Sequence, residues 1–378
     1  MQLALFFTRG VSLQLWLDTG LFDREKKIYE EHLHRGYLKK VYWLTYGKDD
    51  AKTAAKLKEA GRLHQDIEVL PMIRLSSNKW GCLLYSFLMP LLHRRWFKSA
   101  DVFKTNQIDG SWTAVLAKWL YRKPLVVRSG YTWSLLIKKH NAAKCKQNLI
   151  GLLERFAYKN ATIAVVTSKE QADYISQSYS IPEEKLRVIP NYINTELFTP
   201  KKSADRYTDR IIFVGRLNIE KNLSNLIEAI TETNMTLDIY GQGDIRTKLE
   251  DQAKKLGAKV NFMGTVPNDE LPNILNRYRY FILPSFYEGM PKSLLEALAC
   301  GLVCIGTNSG GISEIIEDGV NGYLAEGPQP QALVEAIQRA LQQSTDSMTV
   351  EGISRVRKYF SLENVAEQEK EILTSFNI

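Results

Sequence analysis

The sequence has few residues of the types that build metal centres. Its 378 residues include four cysteines and five histidines. None of the cysteines forms a C-x-x-C pair and no histidine cluster accompanies them, so we expect no metal site. Cys300 and Cys304 lie in the apolar run ALACGLVCIG, which is typical of small buried thiols. We therefore expect a reducing, cytoplasmic environment.

Long apolar runs are also absent. The densest run, Leu83–Leu92, contains Pro90 and is shorter than the roughly 18–20 apolar residues that a membrane span needs. The first residues, MQLALFFTRG, are too few for the apolar core of a signal peptide and favour a first buried strand. No low-complexity tract occurs, and 44% of the residues are hydrophobic and 24% charged, which indicates a globular protein.

Acidic residues are scarce in the first half of the chain. Residues 1–190 hold 31 lysines and arginines against 17 acidic residues, a net charge of +14, whereas residues 191–378 hold 19 against 25, a net charge of −6. This asymmetry suggests that only the first half meets an anionic partner. Nucleic acid, an acidic membrane surface and a phosphate-bearing substrate fit that description, and so does a solvated basic surface without a partner.

Short apolar runs alternate with amphipathic helical stretches along nearly the whole chain, which predicts an α/β protein with mostly parallel sheets covered on both faces. A polar stretch, Asn191–Arg210, interrupts this alternation and is the best linker candidate. We predict strands at residues 3–8, 41–46, 67–70, 101–105, 124–128, 162–167, 186–189, 211–214, 237–240, 260–262, 280–283 and 303–305.

The first chemical motif, GRLNIEKN, follows the predicted strand 211–214 and contains Gly215, Arg216 and Lys221. Arginine offers forked hydrogen bonds to a phosphate and lysine a point charge, so two such cations close together can hold a diphosphate. They would also stabilise the charge that develops on a departing nucleoside diphosphate. Taken alone, this spacing is weak evidence, because arginine and lysine are common on surfaces.

The second motif, EGMPKSLLE, follows the strand 280–283 and begins at Glu288. Pro291 suits the first helical position, so the backbone N–H groups of Gly289, Met290, Lys292 and Ser293 would face an anion at the positive helix end. Glu288 precedes this helix and Glu296 lies within it, and carboxylates are natural acceptors for paired sugar hydroxyls. A charge that only complements the helix dipole is the structural alternative for Glu288.

The third motif, TNSGGISE at residues 307–314, again lies between a strand and a helix. Its two glycines would let the backbone approach a ligand closely and expose N–H groups at the helix start.

Together the three motifs resemble the retaining family 4 glycosyltransferases, which have the GT-B fold of two doubly wound Rossmann-like domains facing a central cleft. The resemblance covers nearly the whole chain and is strongest over residues 211–324. It implies a first domain over 1–195 that binds the acceptor, a second domain over 196–360 that binds the nucleotide-sugar donor, and a closing helix, 361–377, that crosses back onto the first domain.

The resemblance also implies roles for individual residues. Arg216 and Lys221 would bind the donor diphosphate, Glu288 the donor sugar and Glu296 the ribose hydroxyls. Arg216, Lys221 and Glu288 would be the catalytic residues. Gly10 would approach the diphosphate. The other donor-binding candidates would line the sugar pocket, the nucleobase or the adjoining cleft: Gly215, Gly241, Gly243, Gly264, Val266, Gly289, Met290, Pro291, Lys292 and Ser293.

The sequence departs from the family pattern on the first-domain side. Many relatives carry a Gly-Gly turn after the first strand, where this chain has Arg9 and Gly10. Relatives also have His-Gly after the strand 124–128, where this chain has a segment without histidine. We take that segment as the possible acceptor side, with Arg128 either binding an acidic group of a substrate or pairing with a structural carboxylate: Arg128, Ser129, Gly130 and Tyr131.

The expected activity is transfer of a sugar, with retention of anomeric configuration and without a metal or cofactor, from a UDP- or GDP-sugar to a saccharide or lipid-linked saccharide. The stretch Tyr85–Lys98 mixes apolar and basic residues, so it is either a surface that rests on an anionic membrane or a core helix with a solvated basic end. The rival readings are a soluble acceptor, a nucleotide-sugar epimerase, or a basic module for membranes or nucleic acid. No nucleic-acid motif appears, so nucleic acid is not an expected partner. The oligomeric state is left open.

Overall fold

A computed structural model describes residues 1–73, 78–139, 143–201, 205–343 and 346–376. The chain divides into two compact units. The first comprises Met1–Ile189 together with the chain from Ala366 onward, and the second comprises Pro190–Val365. Each unit has its own hydrophobic core.

The first unit contains a seven-stranded sheet in the order β3-β2-β1-β4-β5-β6-β7, and every neighbouring pair of strands is parallel. The chain moves outward from β1 in one direction and then from β4 in the other, which is the doubly wound arrangement. Its strands are β1 (Gln2–Phe6), β2 (Lys40–Leu44), β3 (Ile67–Leu70), β4 (Val102–Thr105), β5 (Leu125–Ser129), β6 (Ile163–Val166) and β7 (Leu186–Val188).

Ten helices of the described chain connect these strands. They are α1 (Leu13–Asp18), α2 (Phe22–Glu25), α3 (Lys27–His34), α4 (Asp50–Glu59), α5 (Lys79–Leu92), α6 (Arg94–Ser99), α7 (Ser111–Tyr121), α8 (Trp133–Lys139), α9 (Lys144–Asn160) and α10 (Lys169–Tyr179). Residues 74–77 and 140–142 lie outside the described residues.

The second unit contains a six-stranded parallel sheet in the order β10-β9-β8-β11-β12-β13. The strand order reverses between β8 and β11. Its strands are β8 (Tyr207–Val214), β9 (Thr236–Tyr240), β10 (Val260–Gly264), β11 (Tyr278–Leu283), β12 (Val303–Thr307) and β13 (Tyr323–Ala325). Its helices are α11 (Leu223–Thr231), α12 (Arg246–Leu256), α13 (Leu271–Leu275), α14 (Lys292–Ala299), α15 (Gly310–Ile315), α16 (Pro330–Gln342) and α17 (Asp346–Tyr359).

The last helix, α18 (Leu362–Thr374), begins in the second unit and continues in the first. The Ser361 hydroxyl accepts a hydrogen bond from the Asn364 N–H at 3.3 Å and so caps the start of this helix. Further along, Glu369 forms an ion pair with Lys104 of β4 at 2.7 Å, and it contacts His32 of α3 at 3.1 Å. The predicted return of this helix to the first unit is therefore confirmed.

The predicted linker, Asn191–Arg210, is built differently from a free connection. Ile193 and Phe198 are each 3% exposed and belong to the core of the second unit, and β8 begins at Tyr207. A short parallel bridge also joins Ile193 to Ser361. Polar composition suggested a linker, but a few apolar residues suffice to anchor the segment; residues 202–204 lie outside the described chain.

The four thiols are all free in this structure. Cys300 and Cys304 are fully buried, as predicted, and burial raises the pKa of Cys300 to about 12. In the part of the chain that the structure describes, no helix combines the length and apolar content that crossing a bilayer requires.

Candidate active site

The three motifs of the second half lie at one edge of the second sheet. Because all six strands are parallel, the loops that follow them meet at the carboxyl edge. The strand order reverses between β8 and β11, and ligands of doubly wound proteins bind in the crevice that such a reversal opens. GRLNIEKN follows β8 and EGMPKSLLE follows β11, so the two charged motifs flank this crevice.

The two cations of the loop after β8, Arg216 and Lys221, differ in exposure and in pairing. Leu217 is fully buried and anchors the loop, while Arg216 beside it is exposed and makes no ion pair among the described residues. Lys221 ends a short 3-10 helix, Ile219–Lys221, and its ammonium group pairs with the carboxylate of Glu288. Arg216 is therefore available to an anion, and Lys221 is held by a neighbour.

The loop after β11 fixes Glu288. Its Oε1 accepts a hydrogen bond from the Ser285 hydroxyl at 2.7 Å and is also the atom that Lys221 contacts. The N–H of Phe286 donates to the carbonyl of Glu220 at 2.9 Å, which ties the two loops together. Both side chains of the Lys221–Glu288 pair are mostly buried, with 18% and 13% exposed, so the pair is partly shielded from solvent.

The start of α14 is braced by a segment that the sequence analysis did not assign to the site. Asn191 donates a hydrogen bond to the carbonyl of Met290 at 2.7 Å, and the Lys292 ammonium lies 4.8 Å from the centre of the Tyr192 ring. Pro291 was predicted to be the first helical residue, but it is the N-cap, and the helix begins at Lys292. The prediction that the backbone N–H groups at this helix start face an anion stays a prediction.

Glu296 lies one turn into α14 and is 3% exposed. Gly289 and Met290 are buried as well. The carboxylates of the E-x(7)-E motif thus differ in surroundings, since Glu288 is partly open and Glu296 is enclosed. Their assignment to sugar and ribose stays a prediction.

Glycines in the loops beside the charged motifs allow two backbone segments to pack closely against each other. A Cβ at Gly241 would lie 1.8 Å from the Gly215 carbonyl oxygen, and one at Gly243 would lie 2.1 Å from that of Leu217. A Cβ at Gly311 would lie 1.7 Å from the carbonyl oxygen of Gly289. The Gly310-Gly311 pair, which the sequence pattern related to a ligand, packs against the loop that carries Glu288.

Gly264 ends β10, the outermost strand on that side, and Val266 lies in the loop after it. The Gly264 carbonyl accepts a hydrogen bond from the Gly241 N–H at 2.7 Å, and Val266 packs partly against the core. They stand at the same carboxyl edge as the charged loops, two strands away from the crevice. Their role beside the nucleobase stays a prediction.

In the first unit, the loop after β4 contacts both segments that were predicted to face a substrate, the one with Gly10 and the one with Gly130. Asp109 of this loop pairs with Arg9 at 3.1 Å, and Gln107 accepts a hydrogen bond from the Gly130 N–H at 3.1 Å. The first of these contacts is next to Gly10, which is exposed. The loops after β1, β4 and β5 therefore form one continuous edge of the first sheet.

Residues 128–131, which stand where relatives have His-Gly, are partly buried. The Ser129 side chain is buried, and its hydroxyl donates to the Tyr131 carbonyl at 2.5 Å. The buried carboxylate Glu369 has its pKa raised by burial and lowered by Lys104, by His32 and, least of all, by the charge of Arg128. The role of Arg128 toward a substrate stays a prediction. Tyr131 is 38% exposed and Gly130 is partly exposed, so these two residues present the segment to solvent.

Comparison with known proteins agrees with this architecture. Two parallel doubly wound units with these loops at their carboxyl edges define the GT-B class. The model of the family "Glycosyltransferase Family 4" matches residues 32–197, and that of "Glycosyl transferases group 1" matches residues 195–355. The two matched segments overlap at residues 195–197 and together cover residues 32–355, so the protein belongs to the family 4, group 1 glycosyltransferases.

Curated relatives match over part of their length. An uncharacterized glycosyltransferase of Methanocaldococcus jannaschii is 30% identical over 51% of this chain and 54% of its own. The UDP-Gal:alpha-D-GlcNAc-diphosphoundecaprenol alpha-1,3-galactosyltransferase of Escherichia coli is 26% identical over 63% of this chain and 66% of its own. The chain thus spans about half to two thirds of the length of these relatives.

Solved structures share the fold over the whole chain. HepE of Anabaena, solved in complex with UDP and glucose, superposes with a TM-score of 0.76 at 18% identity, covering 99% of this chain and 100% of its own. At this level of identity the likeness establishes the fold alone.

Proposed function

We propose that the protein is a glycosyltransferase that moves a sugar from a nucleoside-diphosphate sugar to a hydroxyl of a saccharide or lipid-linked saccharide in cell-surface glycan synthesis. The observation that carries the proposal is the contact between Lys221 and Glu288 at the strand-order reversal. It joins a cation suited to a diphosphate and a carboxylate suited to sugar hydroxyls at the place where doubly wound proteins bind ligands.

The proposed reaction uses this charge arrangement directly. The bond between the anomeric carbon and the diphosphate oxygen breaks, and the acceptor hydroxyl oxygen bonds to the same face of that carbon, with retention. The acceptor proton passes to an oxygen of the departing diphosphate. Arg216 and Lys221 stabilise the negative charge of that leaving group, so the proposal includes no metal. Glu288 orients the sugar by accepting its hydroxyl hydrogen bonds.

The donor is proposed to be a UDP-sugar. Two observations on other proteins support this choice: HepE is solved with UDP and glucose, and the Escherichia coli relative is named for a UDP-galactose donor. Glu296 is proposed to bind the ribose, and the loops that carry Gly241, Gly264 and Val266 to border the nucleotide. Gly10 at the edge of the first sheet is proposed to approach the diphosphate.

The acceptor is proposed to be lipid-linked. The Escherichia coli relative is named for an acceptor on diphosphoundecaprenol, a phosphate-bearing lipid. The net charge of +14 on residues 1–190 suits such an anionic molecule or the membrane that contains it. Gly130 and Tyr131 are the candidates for acceptor contact, and Arg128 and Ser129 are proposed to support their loop.

The test begins with a thermal-shift screen against UDP-, GDP- and ADP-sugars, followed by turnover with the stabilising donor. We expect Arg216→Ala and Lys221→Ala each to lower turnover by about 100-fold or more, because each removes charge stabilisation of the leaving group. Lys248→Ala, on the exposed face of α12, is the matched control and should retain wild-type turnover.

Turnover within a few-fold of wild type in both variants would reject the assigned roles. Donor conversion to an epimer in the absence of any acceptor would show an epimerase instead. Circular dichroism of Lys221→Ala separates lost catalysis from lost folding, since this change also leaves Glu288 without its cation.

A further inference from the structure

One helix of the first unit exposes a regular apolar stripe. Along α5, Trp80, Leu84, Phe87 and Leu91 follow one another at spacings of four, three and four residues, which places them on one face of the helix. Trp80 is 78% exposed and the other three are each more than 50% exposed. The opposite face, with Tyr85 and Met89, is buried in the core.

The apolar surface continues onto two neighbouring helices. Phe87 stacks on Trp112 of α7 with ring centres 6.3 Å apart, α5 packs against α7, and α7 packs against α9. Large contiguous apolar patches are rare on soluble monomers and mark interaction sites. The additional exposed side chains are Leu92 on α5, Trp119 and Leu120 on α7, and Leu149 and Leu152 on α9. We call this surface the α5–α7–α9 face.

The charge around this face has one sign. Residues 79–99, 111–123 and 144–160 contain eleven lysines and arginines and a single carboxylate, Glu154, which is fully buried. Arg94, Arg95 and Lys98 are exposed on α6, directly after α5. His93 adds no charge near neutral pH, because burial lowers its pKa to about 4.

The structure assigns the α5–α7–α9 face to docking on an anionic lipid bilayer. Aromatic and leucine side chains that enter the interfacial region, surrounded by lysine and arginine, are the combination that binds such a surface. A second copy of this chain is disfavoured as the occupant, because a self-complementary contact would bring basic helices against basic helices. Nucleic acid would use the basic residues but not the apolar stripe.

The α5–α7–α9 face differs from Tyr85–Lys98, the segment that the sequence offered as a membrane-facing surface. Within Tyr85–Lys98, the residues Tyr85, Met89, Pro90 and Phe97 are buried, so only half of that segment faces solvent. The stripe instead starts at Trp80. Since α5 follows the parallel strand β3, its first residues lie toward the carboxyl edge of the first sheet, where the acceptor candidates are.

The inference extends the proposed function, whose lipid-linked acceptor lies in such a bilayer, but its test measures no turnover. The wild-type protein is sedimented with vesicles of phosphatidylcholine alone and with vesicles that contain about one third phosphatidylglycerol, at low and high salt. We expect at least tenfold stronger binding to the anionic vesicles at low salt, weakened by salt because the charges are exposed.

Two variants separate the apolar and the basic parts. Arg94→Gln/Arg95→Gln should weaken low-salt binding by roughly 25-fold, because each basic residue near the surface contributes about fivefold. Leu84→Ser/Phe87→Ser should abolish the binding that survives high salt, because it removes side chains that enter the bilayer. Val350→Ser/Lys358→Gln, which alters an exposed apolar and an exposed basic residue of α17, should bind like wild type.

The inference is overturned if the wild-type protein ignores anionic vesicles at low salt, or if both face variants bind as tightly as wild type. It is also overturned if sedimentation velocity shows a dimer that Leu84→Ser/Phe87→Ser dissociates, since a second copy would then cover the face. Vesicle binding without any sugar transfer would instead count against the proposed function alone.

Discussion

At the scale of single residues, the contact between Lys221 and Glu288 gives the candidate site its character. A partly buried ion pair is held together by attraction but loses the hydration of both groups. Ser285 keeps Glu288 in place by its 2.7 Å hydrogen bond. In the proposed function, an incoming diphosphate would offer Lys221 a second anion, and the donor would take over one partner of an existing pair.

His93 should make the stability of the protein depend on pH. It is 4% exposed between α5 and α6 and hydrogen-bonds to Tyr85 at 2.8 Å, and burial lowers its pKa to about 4. The unfolded chain takes up this proton near the ordinary value of 6.5, so stability is lost as the pH falls from 6.5 toward 4. We expect the loss from this group to be about 2 kcal/mol between pH 7.5 and pH 5.

The measurement is the free energy of urea unfolding at several pH values. His93→Gln should show a dependence that is flatter by that amount, because the titrating group is gone. His34→Gln, at an exposed position, should follow the wild-type curve. Parallel curves for wild type and His93→Gln would show that the imidazole is not the group responsible.

At the scale of elements, α18 is attached to the first sheet by a buried charge cluster. Lys104 of β4 and His32 of α3 both contact Glu369, and all three side chains are at most 10% exposed. Burial alone would raise the pKa of Glu369, but Lys104 and His32 hold it well below its ordinary value. Glu369 thus stays ionised and stabilises the fold above the pKa of the unfolded chain, and this stabilisation is lost at acidic pH.

Removing one partner of this cluster should be costly, and removing both much less so. We expect Lys104→Met to lower the free energy of unfolding by about 3–5 kcal/mol, because Glu369 remains buried without its cation. The double variant Lys104→Met/Glu369→Leu should recover most of that loss. Chemical denaturation of wild type, both single variants and the double variant measures the coupling, and strictly additive losses would contradict it.

At the scale of the whole molecule, the end of the chain belongs to the first unit although it follows the second in sequence. Deleting the residues after Val365 should therefore loosen the first unit, because its core loses Leu373 and Lys104 loses Glu369. Hydrogen exchange should rise in β1, β4 and α3, while β8, β11 and β12 keep their protection. Faster exchange confined to the second unit would contradict this attachment.

The alternation of apolar runs was sufficient to predict the two sheets. Each of the twelve predicted strands overlaps an observed strand, although β8 begins at Tyr207 rather than at 211. Each chemical motif follows a strand, because strand periodicity and glycine or proline turns are local signals. The missed strand, β13, has three residues, Tyr323–Ala325, which is too short for a periodic pattern. Membership of the family rested on the same local motifs and is confirmed.

Contacts between distant residues required the tertiary structure. The Lys221–Glu288 pair, the bracing of Met290 by Asn191 and the Lys104–Glu369 pair all join residues that are far apart in sequence. Nothing near any of these residues specifies its partner, because the strand order of the sheet decides which loops become neighbours.

The sequence by itself therefore determined the fold class, the family and the position of the charged motifs at strand ends. Only the tertiary structure decided which cation meets which carboxylate, and which side of α5 faces solvent. Helical spacing identifies an apolar stripe, but whether that stripe becomes core or exposed surface depends on what packs against it.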